Sequence, residues 1–126
     1  IEFLDPMPLK DLVTLSRESA FIVVPLPEYL YSYGQMSFLQ SMALGKALIV
    51  TETTSSADYI SDAPGVERVQ PYDVDDMKAA LQRMMASDFA TLQQCGLANR
   101  EFVTSHFSER QMADRIVKFI STFLNF

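Results

Sequence analysis

Two apolar runs, Phe21-Ile-Val-Val-Pro25 and Ala47-Leu-Ile-Val-Thr51, set the limits on what this chain can fold into. Neither shows the polar alternation of a half-solvated strand. Continuous β-branched runs of this kind belong to strands covered on both faces. Between them, Leu26 to Tyr33 reads as a loop, Gln35 to Leu44 as a helix and Gly45-Lys46 as a turn. Two buried strands joined through a helix run parallel, and the crossover is right-handed. The class that follows is α/β.

The same alternation extends along the chain. Ile1 to Asp5 reads as a short first strand, and Pro8 to Glu18 as a helix with Leu9, Leu12, Val13 and Leu15 as its apolar set. Thr53 to Ser61 holds a helical turn and Val66 to Gln70 a fourth strand. Asp73, with Asp76 three residues on, starts a helix whose Val74, Met77, Leu81 and Met84 share a face. A long helix runs from Phe89 to His106, weakened by Gly96. Ser108-x-x-Gln111 is a capping box for a last helix carrying Met112, Ile116, Phe119 and Phe123 on one face. The expected fold is one domain over residues 1–126, a doubly wound, Rossmann-like parallel sheet in an α/β/α three-layer arrangement.

Composition agrees with one domain: 126 residues with 48% hydrophobic content are enough for a core. The net charge is −6 with no basic stripe, which argues against nucleic acid and anionic membrane surfaces as partners. Cys95 stands alone, so no internal disulfide is possible, and a core or half-buried place suits it. No apolar run reaches the ~18 residues of a membrane span. A cytoplasmic location is expected, with the full-length protein at the membrane periphery as a variant. Both ends look cut, because the chain opens on an apolar strand without Met and closes on an apolar helix. A fragment of a longer protein is therefore expected, truncated at its N-terminus.

In open α/β sheets ligands lie beyond the carboxyl ends of the strands. The loops that matter are Leu26–Gln35 and Glu52–Asp58, both rich in groups that hydrogen-bond sugars. Solvation alone also explains polar loops. At the start of the helix after Gly34, N–H groups without intrahelical partners can meet an anion. Gly34, Gln35 and Met36 would act there through the backbone. Gln40 lies further in, with Ser37 and Ser41 on its face. Other chemistries are poorly served. His106 reads as a capping or surface residue, no Cys/His cluster has metal-ligand spacing, and no nucleophile elbow is present.

The segment Ser32-Tyr-Gly-Gln-Met-Ser-Phe-Leu-Gln40, followed by Ser41-Met-Ala-Leu-Gly-Lys46, resembles the donor-binding signature of retaining GT-B glycosyltransferases of the group 1, family 4 type. In that family a Glu, seven residues and a second Glu precede Ala-Met-Ala, a Gly and a hydrophobic strand. The resemblance continues through Ile1–Asp5, matching the family's strand before a helix, and through Leu12–Pro25, Ser56–Ile60, Gly65–Asp73 and Phe107-Ser108. It implies the C-terminal, donor-binding half of a two-domain GT-B enzyme. The implied reaction transfers a hexose from a nucleoside diphosphate sugar to a glycan or lipid acceptor, with no cofactor and no metal. Acceptor binding would fall to an N-terminal domain absent from this chain. Ser32, Tyr33, Gly34, Gln35, Met36 and Gln40 would then bind the donor. Both signature carboxylates are missing, with Ser32 and Gln40 in their places, and Glu28 is the nearest candidate for a catalytic carboxylate. Without its partner half the chain is expected to be inactive and to self-associate. The alternative is a non-catalytic nucleotide-sugar-binding or scaffold domain that kept the fold and lost the chemistry.

Overall fold

The structure, a computed structural model, describes residues 1–124. Its elements in chain order are α1 (Leu9–Glu18), β1 (Ile22–Val24), α2 (Gln35–Ala43), β2 (Leu48–Thr51), α3 (Ala57–Ile60), β3 (Val66–Val69), α4 (Val74–Ala86), α5 (Phe89–His106) and α6 (Glu109–Leu124). The three strands form a parallel sheet in the order β1-β2-β3, with Ile22 beside Leu48 and Leu48 beside Val66. β2 is the central strand and all four of its residues are buried.

Alternation along β2 divides the core. Leu48 and Val50 join Val24, Phe38, Met42, Ile60 and Val103 on one face. Ala47 and Ile49 join Val69, Ala80, Met84 and Leu92 on the other. Helices therefore cover both faces, which is why β2 reads as an unbroken apolar run.

Local chemistry fixes the helix ends. Gly45, at φ 75°, ends α2 in a Schellman turn: its N–H donates to Met42 O and the Lys46 N–H to Ser41 O. Asp73 and Asp88 cap α4 and α5 by accepting from the N–H groups of Asp76 and Thr91. The Gln111 N–H donates to Ser108 Oγ at 3.3 Å, so the Ser half of the expected capping box is formed. Lys46 Nζ donates to Arg17 O and to Ser19 O (2.7 Å), capping the C-terminus of α1 at the amino end of the sheet.

Four expectations are corrected. Ile1 to Asp5 forms no strand and is exposed. A strand exists only through its ladder, and no strand of the sheet pairs with this segment. The sheet consequently has three strands, where the sequence pattern suggests four. The apolar set of α1 is not core, because no residue of that helix is buried and Leu9, Leu12 and Leu15 are exposed. Pro8 is its N-cap rather than its first helical residue. Gly96 is more than a weak point in α5: a Cβ there would overlap the backbone of Gly45, so glycine lets α5 lie directly on the turn before β2.

At the two ends Ile1, Phe3, Leu4, Phe119 and Phe123 are exposed, apolar surface of the kind the expected self-association needs, while Phe126 lies outside the described residues.

Candidate functional site

The carboxyl ends of the strands open onto three segments, Pro25–Gly34, Glu52–Ser56 and Gln70–Asp73. Hydrogen bonds tie them together. The Leu26 N–H donates to Thr51 Oγ1 at 3.0 Å. The Glu28 N–H donates to the Tyr72 hydroxyl at 3.1 Å. The Glu28 carboxylate in turn accepts from the Thr54 N–H at 3.0 and 3.2 Å. Glu28 is thus a brace between the loops that follow β1 and β2.

Several groups that sequence offers to a sugar are consumed within the fold. Thr53 and Ser56 are buried, and each hydroxyl accepts from the other residue's N–H. Ser56 Oγ also donates to Thr51 O at 2.8 Å. This reciprocal pair opens α3 and is structural. Glu52 faces Arg68 at 3.6 Å. Ser41 is buried with its hydroxyl donating to Ser37 O at 2.7 Å, so it turns to its own helix rather than outward.

The start of α2 is the part left open. Gly34 caps it at φ 79°, a conformation that suits glycine, and a Cβ there would meet the Leu26 side chain. No side chain caps this helix. The Ser37 N–H is taken by Gly34 O at 3.0 Å, whereas the N–H groups of Gln35 and Met36 meet no acceptor among the described residues. Beside them lies a cavity of about 450 Å³ lined by Val24, Pro25, Leu26, Tyr33, Gly34, Gln35, Met36 and Ser37. Gln35 Nε2 is buried at this cavity without a hydrogen-bond partner among the described residues. A buried amide donor without a partner costs about 1–3 kcal/mol, which makes it conspicuous.

The sequence-derived set is brought together only in part. Tyr33, Gly34, Gln35 and Met36 line this one cavity, while Ser32 is exposed on the loop before it. Gln40 instead lines a larger, mostly aliphatic cavity of about 510 Å³ between α1, β1 and α2, which shares Val24, Pro25 and Ser37 with the first. Against known proteins, no family model matches the chain and no curated protein matches it significantly.

Sequence reasoning missed the Gln35 side chain, since its environment depends on how Leu26 and Pro25 fold over it. It also missed Tyr72, a non-glycine residue at φ 62° whose hydroxyl anchors the first loop; a Gln-Pro-Tyr-Asp turn carries no sign of either feature. His106 stacks on Phe102 at 4.4 Å in the last turn of α5, with Nδ1 2.9 Å from Phe102 O. Among the described residues no group of His, Cys, Asp and Glu is placed to hold a metal ion, and no helix is long and apolar enough to cross a membrane.

Proposed function

We propose that this chain is the nucleotide-sugar-binding half of a retaining glycosyltransferase of the two-domain GT-B kind, with the donor diphosphate at the start of α2. The observation that carries the reading is the uncapped helix start beside a cavity, with the Gln35 and Met36 N–H groups and Gln35 Nε2 lacking partners among the described residues. Donors converging at a helix N-terminus suit an anion, and the helix dipole adds to them. During hexose transfer the charge that develops on the leaving diphosphate would be met by these groups. Segments 25–34, 52–58 and 70–76 contain no Lys or Arg. The cation that balances the diphosphate therefore comes from beyond them, together with the glycan- or lipid-binding half. Gln40 offers the ribose one neutral hydrogen bond where the family pattern has a carboxylate. The full-length protein would work in the cytoplasm or at the membrane periphery.

The carboxylate of Glu28 favours a second reading. It is engaged by the Thr54 N–H, and Ser32 and Gln40 are neutral, so a domain that binds the donor without transferring it also suits this edge. Calorimetric titration with UDP and GDP, beside a donor-hydrolysis assay of the full-length protein, decides among the outcomes. Binding with turnover supports the enzyme, binding without turnover supports the non-catalytic domain, and no heat from either nucleotide at millimolar concentration removes both. Gln40→Ala should weaken binding by about 1 kcal/mol, the worth of one neutral hydrogen bond.

A further inference from the structure

Tyr72 stands where a tyrosine is least expected. Gln70-Pro71-Tyr72-Asp73 is a tight turn, closed by the Asp73 N–H on Gln70 O at 3.4 Å, and its third residue takes φ 62°. Glycine or asparagine ordinarily fills that place, because a bulky side chain at positive φ costs free energy. Packing does not offset this, since Tyr72 is 78% exposed. The turn is held instead by its flanks. The Gln70 N–H donates to Asp76 Oδ2 at 2.7 Å, and the Asp76 N–H donates to Asp73 Oδ1 at 2.9 Å. A costly backbone conformation that its surroundings enforce is a pointer to function.

The far end of the side chain shows what that function is. The Tyr72 hydroxyl accepts from the Glu28 N–H at 3.1 Å, and the Glu28 carboxylate accepts from the Thr54 N–H. Among the described residues, these are the hydrogen bonds that tie residues 27–33 to the rest of the chain. Leu26, just before that stretch, is buried, and its side chain lies where a Cβ on Gly34 would be. Leu26, Tyr33, Gly34 and Gln35 all line the cavity at the start of α2. Where this loop lies therefore sets the walls around Gln35 Nε2. We propose that Tyr72 is a positioning residue, a strap that draws the loop after β1 onto the carboxyl edge of the sheet and so fixes Gln35 in its cavity. Its bearing on a donor rests on the glycosyltransferase reading above, whereas its bearing on Gln35 does not.

Two variants separate the hydroxyl from the backbone. Tyr72→Phe keeps the ring and removes the acceptor, while Tyr72→Gly removes the strap and suits the positive φ. Exchange of the Gln35 side-chain amide protons with water is followed by NMR, beside denaturant unfolding and titration with UDP. Exchange should quicken about threefold in Tyr72→Phe and about tenfold in Tyr72→Gly, the span that loss of one hydrogen bond covers. The unfolding midpoint of Tyr72→Gly should stay near that of the parent, because relief of the backbone offsets the lost bond. Its affinity for UDP should fall about fivefold. Unchanged Gln35 exchange in Tyr72→Gly overturns the proposal. Faster exchange matched by a lowered midpoint overturns it too, by assigning Tyr72 to general stability. Equal UDP affinity in a binding parent and both variants has the same force. A parent that does not bind UDP removes the donor reading alone, and Gln35 exchange then decides the strap.

Discussion

Single residues decide how closely the layers approach at the amino end of the sheet. Asn99, fully buried on α5, accepts from the Gly65 N–H at 2.8 Å and donates to Gly65 O and Lys46 O. One side chain thereby satisfies the turns leading into β2 and β3. Asn99→Ala leaves the Gly65 N–H buried without an acceptor, and denaturant unfolding should show a loss of about 2–3 kcal/mol. Gly96→Ala should be at least as damaging, since its Cβ overlaps backbone rather than a movable side chain. Sequence alone shows Gly96 only as a poor helix former, because the partner that requires it, Gly45, lies fifty-one positions away on the other side of the contact. Contacts of that range leave no local mark.

At the level of elements, what sequence reveals is what depends on neighbours along the chain. β1 and β2 are visible as apolar runs, α2 from its Gly45 stop, and α4 from Asp73. Ile1 to Asp5 misleads because apolar composition promises a strand while only a partner makes one. The cap of α5 gives an element-level test. The Thr91 N–H donates to Asp88 at 2.7 Å, and this bond, with a smaller contribution from the Thr91 hydroxyl, holds the Asp88 carboxyl below the ordinary aspartate value. A carboxyl lowered by folding adds stability above its unfolded-state pKa and loses it as pH falls through the folded-state value. Thermal melts between pH 7 and pH 2 should show Asp88→Asn losing less stability on acidification than the parent. Asparagine keeps the cap without the titration, so equal acid sensitivity in parent and variant would contradict this assignment.

For the whole molecule, the balance of exposed apolar surface is the dominant feature. α1 and α6 bury no residue, yet both carry an apolar stripe, and the segment before α1 exposes Ile1, Phe3 and Leu4. Patches of this kind promote association. Sedimentation should reveal concentration-dependent self-association, and a strictly monomeric species at high concentration would contradict it. The α/β class and the parallel order of the strands were legible because they follow from periodicity. The proposed donor-binding residues are legible as a stretch of chain, but their division is not: Gln40 faces the groove beside α1, while Gln35 closes the cavity at the start of α2. That division depends on where Leu26 and Pro25 lie in space. The central claim is an anion site at the start of α2, and amide chemical shifts of the labelled protein under UDP or GDP titration test it most directly. Saturable shifts of the Gln35 and Met36 N–H signals and of the Gln35 side-chain amide are expected. Shifts confined instead to the cavity around Tyr59, His106 and Phe107 would contradict it.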